Sequence, residues 1–327
     1  MILIILLAFY LILKDDAYEI LKNLSQISFY EYLPILLLGS SFVWLSGFIL
    51  YRIEKAYRPV KKIDGVLQAY IQTFFNGVTP LGGGQVALSV LLKKEGFEAS
   101  EIASILWKDF FYFQSGMLIT VMVLLLGSIE YGFILFPSLI YLVFLGFFMN
   151  TMVIAFLWGM SYFPKLDIFV THHVLNFLFK IHIIKDITAT TEKLHTMIHE
   201  FSINTQLLKK EKTKTILFIL MNSFKVLVSY AMPYFVALLM RLDLQPVQLI
   251  EILVLSGYQH MLNALTPLPG DVGWGEGTFV LLFMTLFSKS EAASLMILWR
   301  FATFYFPVLT GGIVLLISKY KNNIIKL

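Results

Sequence analysis

Long apolar runs, each cut by a short cluster of charges, dominate the chain. A membrane-crossing helix needs roughly 20 mostly apolar residues. Residues 29–51, 102–126, 133–160, 216–240 and 295–318 meet that pattern. Residues 1–13 are apolar but short, and neither a basic lead nor a small-residue cleavage site accompanies them. They are expected to form a thin, uncleaved span. Two further apolar stretches are broken. Residues 63–92 are interrupted at 76–84, and residues 249–287 at 266–277, both by Pro and Gly. Each half falls short of a crossing length. Irregular backbone inside lipid is tolerated only where protein or a polar cavity covers it. Each stretch therefore predicts a re-entrant hairpin that returns to the side it came from.

The expected fold class is an all-α polytopic membrane protein. Its six spanning helices and two re-entrant helical hairpins form one integral membrane domain over residues 1–327. Residues 52–127 form a first repeat, hairpin plus span, and residues 245–318 a second. Between them, residues 161–214 read as a cytoplasmic amphipathic helical segment. His195 and His199 have the i,i+4 spacing of a metal pair. With no third ligand apparent, they read as polar-face residues, and His172 and His173 are weaker still.

Composition agrees with this pattern. Of 327 residues, 58% are apolar and 14% charged, and mean hydropathy is +0.79. Such a chain could not keep its surface in water, which excludes a soluble domain, and it is too apolar to be disordered. There is no Cys, so disulfides, thiolate nucleophiles and iron–sulfur clusters drop out. The net charge of +4 is too small to indicate nucleic-acid binding. Its placement is more informative. With six crossings and two returning hairpins, 18 of the 25 basic residues fall on one side. By the positive-inside rule that side is cytoplasmic. The expected location is a cell membrane, multi-pass, with both termini cytoplasmic.

The two broken stretches resemble each other. Asn76-Gly-Val-Thr79-Pro80-Leu81 matches Asn263-Ala-Leu-Thr266-Pro267-Leu268. Ser100-Glu101 then matches Ser290-Glu291, and Trp107-Lys108 matches Trp299-Arg300. Matches in one order imply an internal duplication. The three crossings between the hairpins make the repeats inverted, an arrangement recurrent in transporters.

The candidate site follows from the breaks. A broken helix exposes N–H groups at the start of its second half, which favour anions. These second halves begin near Gln85 and after Glu276. Gly83 and Gly84 permit close approach of a ligand to the backbone. Arg300 and Lys108 sit one span later, and an intramembrane cation usually faces a cavity or a partner. The expected substrate-binding set is Asn76, Thr79, Gly83, Gly84, Gln85, Lys108, Asp109, Asn263, Thr266, Gly270, Asp271, Glu276 and Arg300. A plainer reading stays open beside it: Arg300 pairs with Glu276 or Asp271, and Lys108 with Asp109, as structural locks, with Glu276 also serving as a helix cap. Gln72, Gln114, Asn222, Lys225, Gln259 and His260 are other polar groups in apolar surroundings, with Lys225 within snorkelling reach of the surface. No Walker, nucleophile-elbow or zinc-protease motif occurs. No catalytic residue, metal or cofactor is expected.

Thr266-Pro-Leu-Pro-Gly-Asp-Val-Gly-Trp-Gly-Glu276, followed by Trp299-Arg300, resembles the lysylphosphatidylglycerol synthetase transmembrane family, the flippase domain of MprF-type proteins and their stand-alone relatives. Its members typically show T-P-x-P-G-G-x-G-x-x-E and a later Arg, and residues 76–85 resemble the first-repeat motif. The chain departs at Gln85, where the family commonly has an acid, and at Lys108, near its usual Glu-Arg pair. These 327 residues contain no soluble aminoacyltransferase domain, so lipid synthesis is not expected of them. The resemblance implies a non-enzymatic flippase that moves a polar-headgroup lipid, an aminoacylated phospholipid or a lipid-linked sugar, between leaflets. Membrane lipids, anionic or aminoacylated, are the expected partners. A homodimer and a separate lipid-modifying enzyme are also open, and nucleic acid is not. The alternatives are an ion-coupled transporter of a small anion, an intramembrane enzyme acting on a lipid phosphate, and a membrane scaffold.

Overall fold

The structure is a computed structural model that describes residues 17–79, 83–162, 211–266 and 269–322. Regular structure among the described residues is entirely helical. In chain order the helices are α1 (Ala17–Ser25), α2 (Phe29–Glu54), α3 (Lys62–Val78), α4 (Gly84–Lys94), α5 (Ala99–Gly127), α6 (Ile129–Leu135), α7 (Leu139–Tyr162), α8 (Lys212–Leu239), α9 (Gln248–Asn263), α10 (Trp274–Phe283), α11 (Lys289–Arg300) and α12 (Phe306–Asn322). A 3₁₀ turn, Pro269–Asp271, precedes α10, and a π-helical turn, Phe301–Tyr305, joins α11 to α12.

Among the described residues, four helices are long and apolar enough to cross a membrane: Tyr30–Glu54, Ala99–Gly127, Lys212–Leu239 and Lys289–Ser318. Each coincides with an expected span. The expected crossing at 133–160 is instead divided. Pro137 lacks an N–H and pushes Phe136 out of helical backbone, so α6 ends at Leu135 and α7 begins at Leu139. α7 alone still runs 24 residues, Leu139–Tyr162. The expected span at 1–13, and the histidines of the 161–214 segment, lie outside the described residues.

Large apolar side chains such as Trp44, Leu126, Leu220 and Leu316 point outward. Lipid removes most of the hydrophobic drive for helices to associate, so close packing has to hold the bundle. Small residues supply it. A Cβ on Gly39 of α2 would lie 2.9 Å from the Ala302 Cβ in the π turn, and one on Gly146 of α7 would press on the Met261 carbonyl of α9.

Both broken stretches fold as helix pairs whose ends meet. Lys61 and Asp64, at the start of α3, line one cavity with Lys94 and Glu95, at the end of α4. Tyr131 of α6 interacts with both Glu251, in the first turn of α9, and Thr285, just past α10. The wider packing is reciprocal. α3 packs on α2 and α12, whereas α9 packs on α8 and α7. α2 and α8 pack on each other; the π turn lies on α2 and α5 lies on α8. The sequence match between the repeats also has a structural counterpart. Glu101 Oε2 accepts from the Glu98 N–H at 3.0 Å, and Glu291 Oε2 from the Ser288 N–H at 2.9 Å. Each closes the first turn of the helix after its pair.

Candidate functional site

The second pair breaks through left-handed backbone. Gly270, Asp271 and Gly273 have φ of 62°, 53° and 87°. Glycine adopts such angles freely, and aspartate does so more readily than most residues. Any side chain at 270 would also strike the Phe304 ring. The break sets Glu276 in the first turn of α10. Its Oε2 accepts from the Gly273 N–H at 2.6 Å, capping the helix. Its Oε1 accepts from Arg300 Nε at 2.9 Å, with both side chains buried. Arg300 Nη2 donates to the Gly270 carbonyl, and its guanidinium carbon lies 4.4 Å over the Phe304 ring. The charge pair is thus tied to both sides of the break.

Arg300 also lines two small cavities. One, of about 170 Å³, is bordered by Gln259, His260, Asn263 and Asp271. The other, of about 200 Å³, shares His260 and extends to Phe42, Phe113 and Thr303. Tyr230 borders both, and its buried hydroxyl has no hydrogen-bond partner. Each cavity is smaller than the roughly 300–1,000 Å³ of a drug-sized ligand site. A polar headgroup fits this scale, whereas a whole phospholipid does not. The lining is held by the break itself. Gln259 Nε2 donates to the Gly275 carbonyl at 3.0 Å, and Asn263 Oδ1 accepts from Thr278 Oγ1 at 3.3 Å, so both bridge α9 to α10. Thr266 Oγ1 donates to the Asn263 carbonyl at 3.2 Å and closes the end of α9.

The first pair is built differently. Thr79 Oγ1 accepts from the Gly83 N–H, and Asn76 Oδ1 from the Gly84 N–H, each at 3.0 Å. Two of the donors expected to face an anion are therefore taken by the end of α3. The glycines serve the same contact: a Cβ on Gly84 would lie 2.5 Å from the Gln72 carbonyl. Gly84 admits the partner helix, while Gly83 borders a cavity of about 340 Å³ with Thr79, Val86 and Leu91. Deeper in, the Gln72 and Gln85 side chains interact with the Asp109 carboxylate.

The cation expected in this half, Lys108, lies elsewhere. Lys108 donates to the Tyr57 hydroxyl at 2.9 Å and lines a separate cavity of about 610 Å³ with Arg52, Lys55, Lys62 and Lys214. Consecutive helix residues diverge, so Lys108 and Asp109 face different surroundings and form no lock. Lys225 does not snorkel outward. It is 4% exposed, donates to Ser46 Oγ at 3.1 Å, and lies 4.6 Å over the Phe113 ring. Asp109 attracts it at longer range.

The structure thus gathers Asn263, Gly270, Asp271, Glu276 and Arg300 around one break, with Thr266 at its edge. It gathers Asn76, Thr79, Gly83, Gly84, Gln85 and Asp109 around the other, and leaves Lys108 out. Sequence reasoning missed Tyr230, Ser229, Phe42 and Phe113. A tyrosine, a serine and two phenylalanines within apolar helices carry no signal until packing aims them at a common space.

No curated protein matches the chain. A match to the family described as Lysylphosphatidylglycerol synthase TM region spans residues 1–311. On that match the chain belongs to this family, as its second-break motif and Arg300 had implied.

Proposed function

We propose that the chain is a lipid flippase, moving a polar-headgroup lipid between the two leaflets of a cell membrane. The family's name ties the chain to membrane lipid, lysylphosphatidylglycerol among them. The observation that carries the reading is Arg300. One edge of its guanidinium is fixed by Glu276 and Gly270, while the residue borders two headgroup-sized cavities among the helices. A cation oriented in this way is ready to meet a phosphate without first losing conformational freedom. In this reading both helix pairs re-enter the membrane from opposite faces, and the headgroup passes between their breaks while the acyl chains stay in lipid. The face bearing Arg52, Lys55, Lys62, Lys94 and Lys214 is cytoplasmic.

Reconstituted liposomes test the reading. The chain should speed exposure of the headgroup of labelled phosphatidylglycerol or its lysyl ester, and Arg300→Met should reduce that rate. Rates equal to those of empty liposomes for both lipids would overturn it. Because the chain has no native Cys, single-cysteine variants at Ser89 and Thr285 can report which face each pair enters from.

A further inference from the structure

A second set of buried polar groups lies at the base of the first helix pair, away from Arg300. Glu54, the last residue of α2, is 0% exposed, and neither of its carboxylate oxygens has a hydrogen-bond partner. Beside it, Gln68 of α3 is 3% exposed. Gln68 Nε2 donates to both oxygens of Glu95, at 3.0 and 2.9 Å. The same amide also acts on Glu54, while its own Oε1 has no partner. One amide therefore lies between two carboxyl groups and is bonded to only one of them.

Among the described residues, no ion pair to Glu54 forms, and the surrounding charges are mostly acidic. Glu95, Asp64 and Asp109, from the α4–α5 connection, α3 and α5, all repel its ionised form. The nearby cation, Arg58, is engaged by Glu101 at 2.8 Å and by the Glu95 carbonyl. Burial pushes the Glu95 carboxyl up from its ordinary range; Gln68 opposes this, Asp64 adds to it and Arg58 opposes it. Two ionised carboxylates sharing a site repel each other, and a buried ionised carboxylate without a partner is costly. A single proton relieves both conditions, because it neutralises one acid and converts an acceptor into a donor. A divalent metal is the weaker occupant: among the described residues, no group of three or more His, Cys, Asp or Glu could hold one.

The position also gives access from both directions. Asp64, Gln68 and Glu95 line a cavity of about 500 Å³ at the end of the bundle. In the other direction, Gln72 lies one turn further along the same face of α3 and interacts with Asp109. Carboxyl and amide groups thus run from the cavity to the first break.

We propose that Glu54, Gln68 and Glu95 form a proton-binding site in which Glu54 takes up a proton from this cavity, and that its loading and release set the position of the first helix pair. The binding step is Glu54 carboxylate plus one hydronium ion from the solvent that fills the cavity, giving the neutral carboxylic acid and water. The binding itself stands apart from the flippase reading, whereas its coupling to lipid movement rests on that reading.

Infrared difference spectroscopy of the chain in lipid nanodiscs, scanned over pH, tests the site. A protonated-carboxyl band is expected in the wild type and should be lost in Glu54→Gln. In Glu95→Gln, which removes one of the three repelling neighbours, the band should persist and titrate at lower pH. Absence of the band, its survival in Glu54→Gln, or its displacement by sodium would overturn the proposal. If Glu54→Gln does not fold, the shift in Glu95→Gln decides. Liposomes carrying a pH gradient test the coupling: wild-type lipid movement should depend on the direction of the gradient, and the Glu54→Gln rate should not. A wild-type rate blind to the gradient sinks the coupling. An intact band without any lipid movement keeps the proton site and sinks the flippase reading.

Discussion

The two breaks show one motif used in two ways. Both carry Asn near the end of the first helix and Thr just past it, and both Asn side chains bridge to the second helix. At the second break a carboxylate caps the next helix and holds a buried guanidinium. At the first break a neutral Gln occupies the matching position, hydroxyl and amide oxygens cap the helix, and the acid sits on α5 instead. The second break is closed by a direct ion pair. The first is held by hydrogen bonds, with Asp109 and Lys225 attracting each other only at a distance. A fixed half and an adjustable half would suit a transporter in which one helix pair moves more than the other.

The largest effect should come from unlocking the fixed half. Arg300→Met strands Glu276 without its partner and should cost about 3–5 kcal/mol, read as a fall in thermal stability in detergent. Adding Glu276→Leu should recover most of that loss, because exchanging a whole buried pair for apolar groups is often near neutral. A single variant as stable as wild type would mean that the second break is no lock.

Gly270→Ala comes next. It combines a left-handed backbone with a clash on Phe304 and should cost about 1–3 kcal/mol in the same assay. Asn76→Ala removes only a cap from the first pair, so about 1 kcal/mol is expected. Asp109→Asn should cost less than about 1 kcal/mol, a hydrogen-bond-sized change, yet slow lipid movement markedly. That split between stability and transport is what separates the two halves. If Asp109→Asn instead unfolds the chain, the first break is a lock as well. Lys108→Met should stay within about 0.5 kcal/mol and leave lipid movement unchanged, since Lys108 faces a different cavity.

Much of this was legible in the sequence, for identifiable reasons. Apolar runs of crossing length and Pro/Gly breaks are local signals, and α2, α5, α8 and the α11–α12 helix stand where those runs lie. The Glu276–Arg300 pair was also legible, because two rare charges within apolar sequence narrow the choice of partner. Three features were not. Pro137 lies near the start of the 133–160 run, which reads as one crossing, yet it separates α6 from α7. Lys108 was aligned with Arg300 by its neighbour Trp107, but the helical rotation between 108 and 109 brings Asp109, not Lys108, to the first break. Glu54 lies just past the expected span at 29–51 and carried no signal, and only the fold shows it buried beside Gln68 of α3 and Glu95 of the α4–α5 connection. Sequence shows which residues are unusual, while their direction depends on helical phase.

The π-helical turn after Arg300 gives this phase a further use. It holds one residue more than an α-helical turn. One extra residue turns everything beyond it by about 100° relative to an unbroken α-helix. The span that carries Arg300 therefore serves two sets of neighbours with two differently aimed faces: α11 packs on α8 and α10, and α12 packs on α3.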